Sequence, residues 1–186
     1  MAEVITTLPP GGGPQFRPPE PIKAAHDVSG FSCGREELDT WLKRRALANK
    51  SSNASRTYVV ALGPRVVGYY TLSAGSVNRD QLPTAALRRN MPDKVPTVVL
   101  GRLATDKNFE KRGIGTGILQ EAITRMLAAS TEIGVRGLLV HVLDDEAAAF
   151  YRRYPFVECH IGNRTLLLPV ETARQAILAK RAAVSE

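Results

Sequence analysis

The chain has 186 residues, of which 44% are hydrophobic, and it carries a formal net charge of +7 at pH 7. A chain of this length buries one sizeable hydrophobic core but hardly two, so we expect a single domain. The sequence has no apolar run long enough to span a membrane, and its first 21 residues lack the charged start and apolar stretch of a secretory signal. These features predict a cytoplasmic protein.

The excess of positive charge favours a polyanionic partner, either nucleic acid or a phosphate-rich cofactor. Cys33 and Cys159 are the two cysteines of the sequence, and they lie far apart without the spacing of metal ligands. We therefore expect two reduced thiols, no disulfide and no metal site.

The first segment of the chain is rich in proline and glycine, which predicts a flexible leader over residues 1–21. The folded domain is expected over residues 22–170. Its first element, within "VSGFSCGREELDTWLKRRALANK", is a helix that begins near Cys33 or Gly34, with Glu36 and Glu37 in the first turn. One face of this helix is apolar and the other is basic. The apolar residues are Leu38, Trp41, Leu42 and Leu47, and the basic ones are Lys43, Arg44 and Arg45.

Two β-rich runs joined by a Gly-Pro turn predict a hairpin from Thr57 to Val77. The next stretch, "LPTAALRRNMPDKVP", is polar and bounded by prolines, which predicts a helix or loop. Strands are expected at "TVVLGRLAT", "RGLLVHVL" and "RTLLLPV", and helices at "RGIGTGILQEAITRMLAAS" and "DDEAAAFYRRY". This alternation is typical of an α/β domain with a mixed β-sheet flanked by helices. A C-terminal amphipathic helix is expected over residues 171–186.

The stretch "FEKRGIGTGIL" places Lys111, Arg112 and Gly113 between a strand and a helix, where unpaired N–H groups at the helix start bind anions. A Walker A loop is excluded because no Gly-Lys-Ser/Thr follows, and the spacing to the next acidic residue does not fit a Rossmann fold. Taken alone, the stretch is better explained as a glycine-rich turn that packs a helix on a strand.

Together, "LGRLATDKNFEKRGIGTGIL" and "DDEAAAFYRRYPF" resemble two signature segments of the GNAT N-acetyltransferase superfamily. The resemblance implies that acetyl-CoA is the acetyl donor, that the strand edge binds its pantetheine arm, and that the glycine loop holds its pyrophosphate. Two positions depart from the family pattern: Glu110 replaces the usual Gln or Arg, and Asp144 replaces an Asn. The implied cofactor-binding residues are Leu103, Ala104, Thr105, Lys111, Arg112, Gly113, Ile114, Gly115, Thr116, Asp144, Ala147 and Phe150.

Further segments from about Ala25 to Val170 resemble the GNAT toxins of bacterial type II toxin–antitoxin modules. The resemblance implies acetylation of the α-amino group of aminoacyl-tRNA, arrest of translation, homodimerisation, and neutralisation by a cognate antitoxin of the ribbon-helix-helix type. The sequence Tyr154-Pro155-Phe156 departs from the family's usual Phe-Gly-Phe. The matching residues are Phe31, Gly34, Leu38, Asp39, Leu42, Arg102, Leu103, Gly113, Gly115, Phe150 and Tyr151.

Acetyl transfer from a thioester requires a neutral amine, a polarised carbonyl group and a proton for the departing thiolate. We assign the proton to the phenol of Tyr151, which with a reference pKa of about 10 is protonated at neutral pH. The alternative is that Tyr151 only packs in the core. A backbone N–H between Leu103 and Thr105 is expected to polarise the carbonyl group.

The type of amine that the protein can acetylate depends on whether the protein supplies a general base. A lysine side chain, with a reference pKa of about 10.4, needs one, whereas an α-amino group at about 7.7 to 8.0 is already substantially neutral. No carboxylate base is evident beside the glycine loop, which fits an aminoacyl ester. Asp106 and Glu110 are the two possible exceptions, and we expect both to be solvated.

Aminoacyl-tRNA requires cationic side chains for its phosphates. The candidates are Arg88, Arg89, Lys94, Arg152 and Arg153, with the basic face of the first helix as a further possibility. The rings of Tyr69 and Tyr70 would be able to stack on a terminal base, but strand alternation places one of them inward, so we expect at most one to do so. His141 is expected to be a hydrogen-bonded core residue.

Two other functions remain open at this stage. One is a GNAT enzyme that acetylates a small amine or a protein amino group. The other is a protein with this fold that binds acetyl-CoA without transferring its acetyl group, for which Glu110 is the only indication. The C-terminal helix has three open roles: packing on the domain, joining two subunits, or binding an antitoxin.

Overall fold

The computed structural model describes residues 16–162 and 164–184, so residues 1–15 of the predicted leader lie outside the described part of the chain. Seven strands form one sheet in the order β1-β2-β3-β4-β5-β7-β6, and β4 and β5 run parallel in an otherwise largely antiparallel arrangement. The prediction of a mixed sheet is therefore confirmed. The strands are β1 (Glu20–Pro21), β2 (Arg56–Leu62), β3 (Arg65–Asn78), β4 (Lys94–Thr105), β5 (Gly137–His141), β6 (Val157–Glu158) and β7 (Thr165–Pro169).

The α-helices lie close to their predicted positions. They are α1 (Glu36–Ser51), α2 (Ala85–Arg88), α3 (Ile114–Glu132), α4 (Asp145–Tyr151) and α5 (Val170–Val184). The predicted hairpin is confirmed, because β2 and β3 pair from Arg56↔Leu72 to Leu62↔Arg65 around a turn of Gly63 and Pro64. Gly63 has φ 60°, a left-handed value that glycine adopts without strain and that suits a two-residue hairpin turn.

The chain divides into two compact units, and β3 and β4 each contribute residues to both. The first unit holds the described residues up to Ser73 together with Gly101–Ala122. The second holds Ala74–Leu100 and the described residues from Ile123 onward.

The core of the first unit lies between α1 and strands β2 and β3. Helix α1 buries Leu38, Leu42 and Ala46 against the sheet, at the four-residue spacing of one helix face. The prediction for Leu47 was wrong, since this side chain is 44% exposed. Nine residues separate Leu47 from Leu38, which places it roughly half a turn away from the buried face.

Neither Tyr69 nor Tyr70 faces outward, although the sequence left stacking open for one of them. Both side chains are 0% exposed, because both faces of β3 are covered at this point. Tyr69 packs against Phe31 and Trp41 and donates a hydrogen bond from its hydroxyl to the Leu38 carbonyl oxygen over 2.8 Å. Tyr70 stacks on Tyr58 with 5.0 Å between ring centroids. Neither ring is available for stacking on a base.

The core of the second unit joins the segment before β4 to the last strands of the sheet. The β4 strand begins at Lys94, earlier than predicted, so Lys94 is a strand residue and not part of the preceding loop. Helix α5 packs on this unit through Val170 and Ala173, which are 4% and 1% exposed, and Arg174 Nη2 donates to Ser130 Oγ over 3.1 Å. Of the three roles left open for this helix, packing on the domain is the one observed.

Candidate active site

The loop between β4 and α3 turns sharply before the helix begins. Lys111 and Gly113 both have left-handed backbone angles, with φ of 59° and 77°. Helix α3 follows at Ile114, and its first N–H groups have no carbonyl partner within the helix. Lys111, Arg112 and Gly113 are exposed, and a Cβ built on Gly113 meets no atom within 4 Å. The loop therefore presents backbone donors and two cationic side chains to open space, which suits a diphosphate group.

The start of α3 packs tightly on β3 because residue 68 is glycine. A Cβ at Gly68 would lie 2.8 Å from Ile118 Cδ1 and 2.9 Å from Ile114 Cγ2. Both isoleucines are buried in the first turns of α3. Gly68 thereby sets the distance between the helix start and the sheet, and hence the position of the loop. Sequence reasoning missed this residue because its partners lie far along the chain.

The strand residues that precede the loop continue beyond the part of β4 that pairs with β5. The β4 strand pairs with β5 at Val98, Val99 and Leu100, and then continues through Leu103 and Thr105. Those residues make no ladder pair with β5 in the described chain. Their backbone groups can therefore serve an extended ligand, as a strand edge does. Ala104 points the other way, into the first unit's core.

Asp106 is buried, so the prediction that it is solvated was wrong. Its side chain is 0% exposed and its Oδ2 lies 3.4 Å from Arg65 Nη2. The same carboxylate accepts hydrogen bonds from the backbone N–H of Ser32 at 3.3 Å and of Asn108 at 2.9 Å. A carboxylate with both oxygens engaged in this way stabilises the turn before the loop and is poorly placed to accept a substrate proton. Glu110 is exposed, as predicted.

Tyr151 lies at the end of α4, a short helix that begins after Asp144. The Asp144 Oδ1 atom accepts the Ala147 N–H over 2.8 Å, so an aspartate caps this helix as well as an asparagine would. The ring of Tyr151 packs edge-on against Phe150 and Phe156, with centroids 5.1 Å and 5.5 Å away.

The Tyr151 side chain is 6% exposed, and this burial raises the pKa of its phenol well above the ordinary value. Within the described residues its hydroxyl makes no hydrogen bond. It is thus a protonated donor without a partner of its own, as a general acid requires.

The five basic candidates all lie in the second unit but differ in availability. Arg89 is exposed and has no polar partner among the described residues. Arg88 Nε donates to the Leu82 carbonyl oxygen over 2.7 Å, and Lys94 Nζ donates to Asn78 Oδ1 over 2.6 Å. Arg152 approaches Glu158 at 3.5 Å, and Arg153 lies over the ring of Phe150 at 5.0 Å. Arg152 and Arg153 are exposed.

His141 and the two cysteines lie in different surroundings. His141 is hydrogen-bonded to Thr165 Oγ1 over 2.9 Å, but it is exposed at the end of β5, so the expectation of a core residue was wrong. The cysteines are free thiols, and burial raises the pKa of both Cys33 and Cys159 to about 11. In residues 16–162 and 164–184, no group of three or more His, Cys, Asp or Glu side chains is placed to hold a metal ion. The helices of this described part include none long and apolar enough to cross a bilayer.

Comparison with known proteins identifies the fold and the family. The model of the acetyltransferase (GNAT) family matches residues 23–156. The chain is 43% identical over 162 residues to the tRNA-acetylating toxin of Mycobacterium tuberculosis (strain ATCC 25618 / H37Rv), a match that covers 87% of this chain and 97% of that protein.

Two solved structures of the toxin AtaT have the same fold. One is AtaT complexed with acetyl-methionyl-tRNAfMet, which is 26% identical with a TM-score of 0.81 and covers 88% of this chain and 99% of that one. The other is a tyrosine-to-phenylalanine mutant of AtaT bound to acetyl-CoA and the C-terminus of the antitoxin AtaR. It is 26% identical with a TM-score of 0.74 and covers 87% and 97% of the two chains. The chain belongs to the GNAT family of acetyltransferases, and within it to the family of the mycobacterial tRNA-acetylating toxin.

Proposed function

We propose that this protein is a toxin that transfers the acetyl group of acetyl-CoA to the α-amino group of aminoacyl-tRNA and thereby blocks translation. The observation that carries the choice of substrate is the burial of Asp106 in its pair with Arg65. This pairing occupies one of the two carboxylates near the loop, and an amine that is already neutral needs no such base. The relative at 43% identity, named a tRNA-acetylating toxin, supports the same substrate.

The loop from Lys111 to Thr116 binds the diphosphate of acetyl-CoA. Its left-handed turns at Lys111 and Gly113 direct the N–H groups of the α3 start outward, and the exposed side chains of Lys111 and Arg112 add positive charge. Ile114, Gly115 and Thr116 belong to the first turn of α3 and contribute backbone donors. Acetyl-CoA supplies a thioester, whose carbonyl carbon is the acyl donor.

Residues of β4 and α4 orient and protonate the reacting groups. The backbone of Leu103, Ala104 and Thr105 holds the pantetheine arm, and an N–H of this segment polarises the thioester carbonyl group. Tyr151 donates its phenolic proton to the departing sulfur. The helix that carries Tyr151 is held by the Asp144 cap to Ala147 and by the packing of Phe150.

The acceptor end of tRNA is bound by cationic side chains. Arg89, Arg152 and Arg153 are exposed, as phosphate contacts require. Arg152 lies 3.5 Å from Glu158, and Arg153 Nε donates to the Phe150 carbonyl oxygen over 3.4 Å. Arg88 and Lys94 each have one local hydrogen bond, and they retain further N–H donors for a phosphate. The net charge of +7 fits a polyanionic substrate.

Location, oligomeric state and inhibition are part of the same proposal. The protein acts in the cytoplasm as a homodimer, and a cognate antitoxin of the ribbon-helix-helix type neutralises it. The AtaT complex with its antitoxin AtaR is the supporting precedent for a protein inhibitor.

The test is incubation of the purified protein with acetyl-CoA and a total pool of charged tRNA, followed by mass spectrometry of the nuclease-released aminoacyl nucleosides. The expected result is an acetyl group on the α-amino nitrogen of one or a few aminoacyl species. Uncharged tRNA is the control and should gain no acetyl group. CoA release with small amines or peptides, without any acetylated aminoacyl-tRNA, would support the alternative acetyltransferase, and tight acetyl-CoA binding without any CoA release would indicate a binding protein.

A further inference from the structure

A stack of side chains on one face of β4 holds a guanidinium group in a fixed position. Arg102 Cζ lies 4.2 Å from the ring centroid of Trp41, which is the geometry of a cation–π contact. The Trp41 ring in turn stacks on Tyr69 with an interplanar angle of 8° and a centroid distance of 6.0 Å. All these residues belong to the first unit.

The platform beneath Arg102 is rigid. Tyr69 is 0% exposed, its hydroxyl donates to the Leu38 carbonyl oxygen at 2.8 Å, and Phe31 packs edge-on against its ring at 5.5 Å. A planar guanidinium placed over such a surface loses little further entropy when it binds a ligand. The stack therefore fixes the direction of the Arg102 donors.

No carboxylate among the described residues lies within ion-pair distance of Arg102. In the described part of the chain it forms no ion pair and no hydrogen bond, although its side chain is half-buried. The carboxylate of Asp39, on the same helix as Trp41, accepts the Cys33 N–H over 2.8 Å. A guanidinium has five N–H donors, so a half-buried one with only a ring as its partner retains capacity for an anion.

Helix α1 brings charges of both signs close to the stack: Glu37 precedes Trp41 by four residues and acts electrostatically on Tyr69, and two arginines follow Trp41. Arg44 and Arg45 follow Trp41 by three and four residues on α1, the spacing that places side chains on the same helix face. Both are exposed, and neither has a polar partner among the described residues. The anion that fits next to Arg102 therefore belongs to a ligand with several negative charges.

We propose that Arg102, held on the ring of Trp41, binds a phosphodiester of the acceptor end of the tRNA substrate and orients the aminoacyl ester for transfer. This inference rests on the proposed function. Arg102 directly precedes Leu103, whose backbone faces the acyl group in that function, and one strand residue spans only about 3.3 Å. A phosphate bound at Arg102 therefore lies within the length of one arginine side chain of the strand segment proposed to hold the acyl group, where the phosphodiester next to the aminoacylated ribose must also lie. Arg44 and Arg45 attract the phosphates that follow.

The experiment compares the full-length protein with its Arg102→Gln and Arg102→Lys variants. Arg56→Gln is the matched control, because it removes one positive charge from an exposed arginine outside the stack. The kcat/KM for aminoacyl-tRNA and the binding of uncharged tRNA are measured at several salt concentrations, together with the Kd for acetyl-CoA and the melting temperature. A phosphate contact contributes to the slope of log affinity against log salt, by about 0.7 for a single strand.

The expected result for Arg102→Gln is a loss of about tenfold in kcat/KM for aminoacyl-tRNA, the size of a charge-assisted hydrogen bond. Its salt slope should fall by about 0.7, while the Kd for acetyl-CoA and the melting temperature stay near those of the unmodified protein. Arg102→Lys should keep the slope but lose part of the rate, because an ammonium lacks the planar fork that stacks on Trp41. Arg56→Gln should retain its kcat/KM.

Two results would overturn the inference. One is a salt slope in Arg102→Gln equal to that of Arg56→Gln, which would make Arg102 a structural partner of Trp41 only. The other is a weaker Kd for acetyl-CoA with unchanged tRNA binding, which would assign Arg102 to the cofactor. If the unmodified protein acetylates no tRNA, the proposed function fails. In that case the salt dependence of binding to uncharged tRNA still decides whether Arg102 contacts RNA.

Discussion

The carboxylate of Asp106 is completely buried and lies 3.4 Å from the guanidinium of Arg65, immediately before the glycine loop. The pair is reinforced by the Ser32 and Asn108 backbone donors and by the packing of Arg65 over the ring of Phe109 at 5.1 Å. This buried network connects the segment before α1 with the turn that leads into the loop, since Lys107 N also donates to the Ser32 carbonyl oxygen over 2.9 Å.

Replacing Asp106 with alanine should destabilise the protein by about 2 kcal/mol, because the partly buried Ser32 and Asn108 donors and Arg65 lose their acceptor. The KM for acetyl-CoA should rise as the loop loses its support. Urea unfolding followed by circular dichroism measures the stability, and Asp93→Asn is the matched control. The Asp93 side chain is 88% exposed in its pair with Arg79, so its loss should change the free energy of unfolding very little. Equal stability of the Asp106 and Asp93 variants would contradict the structural role of Asp106.

Replacing Tyr151 with phenylalanine should lower kcat by about 10² to 10⁴ while leaving the Kd for acetyl-CoA unchanged. The substitution removes only the hydroxyl, which has no hydrogen-bond partner among the described residues, so the packing of the ring is retained. Time-resolved assays of CoA release measure kcat, and calorimetry measures the Kd for acetyl-CoA. Tyr154→Phe is the control, since Tyr154 packs near Phe150 but has no proposed role. Full activity of the Tyr151 variant would remove this residue from the mechanism.

The kcat/KM for acetyl transfer should fall at acidic pH but should not fall at mildly alkaline pH. Burial raises the pKa of Tyr151, so its proton remains available well above neutral pH. The α-amino group of the substrate loses its proton with a pKa of about 7.7 to 8.0 or lower, so kcat/KM should rise through this range and remain level to about pH 10. Initial rates must be corrected for spontaneous hydrolysis of the aminoacyl ester. A decline in the corrected rate beginning near pH 8.5 would argue against a buried phenol as the acid.

Replacing Gly113 with alanine should raise the KM for acetyl-CoA without a steric clash. There is free space at this position, but its φ of 77° costs a non-glycine residue roughly 1 to 2 kcal/mol. The backbone should relax to another conformation and turn its N–H groups away from the diphosphate. Gly134→Ala is the matched control, because that glycine has open space and no left-handed angle. Steady-state kinetics with acetyl-CoA as the varied substrate make the comparison. Equal KM values for the two variants would contradict the proposal that the loop binds the diphosphate.

Replacing Gly68 with alanine should destabilise the protein by about 1 to 3 kcal/mol through overpacking against Ile114 and Ile118. The added methyl group should push the start of α3 away from β3 and weaken acetyl-CoA binding. Combining it with Ile118→Val removes the nearer atom and should recover part of the loss in melting temperature. Gly30→Ala, at an exposed position with no neighbour within 4 Å, should have little effect. A Gly68 variant as stable as the Gly30 variant would show that the helix start adapts freely.

The sequence by itself determined the features that depend on neighbouring residues. The β2–β3 hairpin around Gly63, the start of α3 after Gly113 and the placement of Tyr151 at the end of a helix were predicted because turn chemistry and helix periodicity act over a few positions. The resemblance to the GNAT superfamily rests on two local segments, one around the glycine loop and one around Tyr151, and the family comparison confirms it.

The tertiary structure alone decided which side chains are buried and which residues meet across the chain. Asp106 pairs with Arg65, Ile118 packs closely against Gly68, and Arg102 stacks on Trp41, although the two residues of each pair are far apart in the sequence. Strand alternation placed one of Tyr69 and Tyr70 inward and left the other open for stacking, but it carries no information on whether both faces of a sheet are covered. Such contacts depend on how distant elements pack, and no local pattern of residues records that packing.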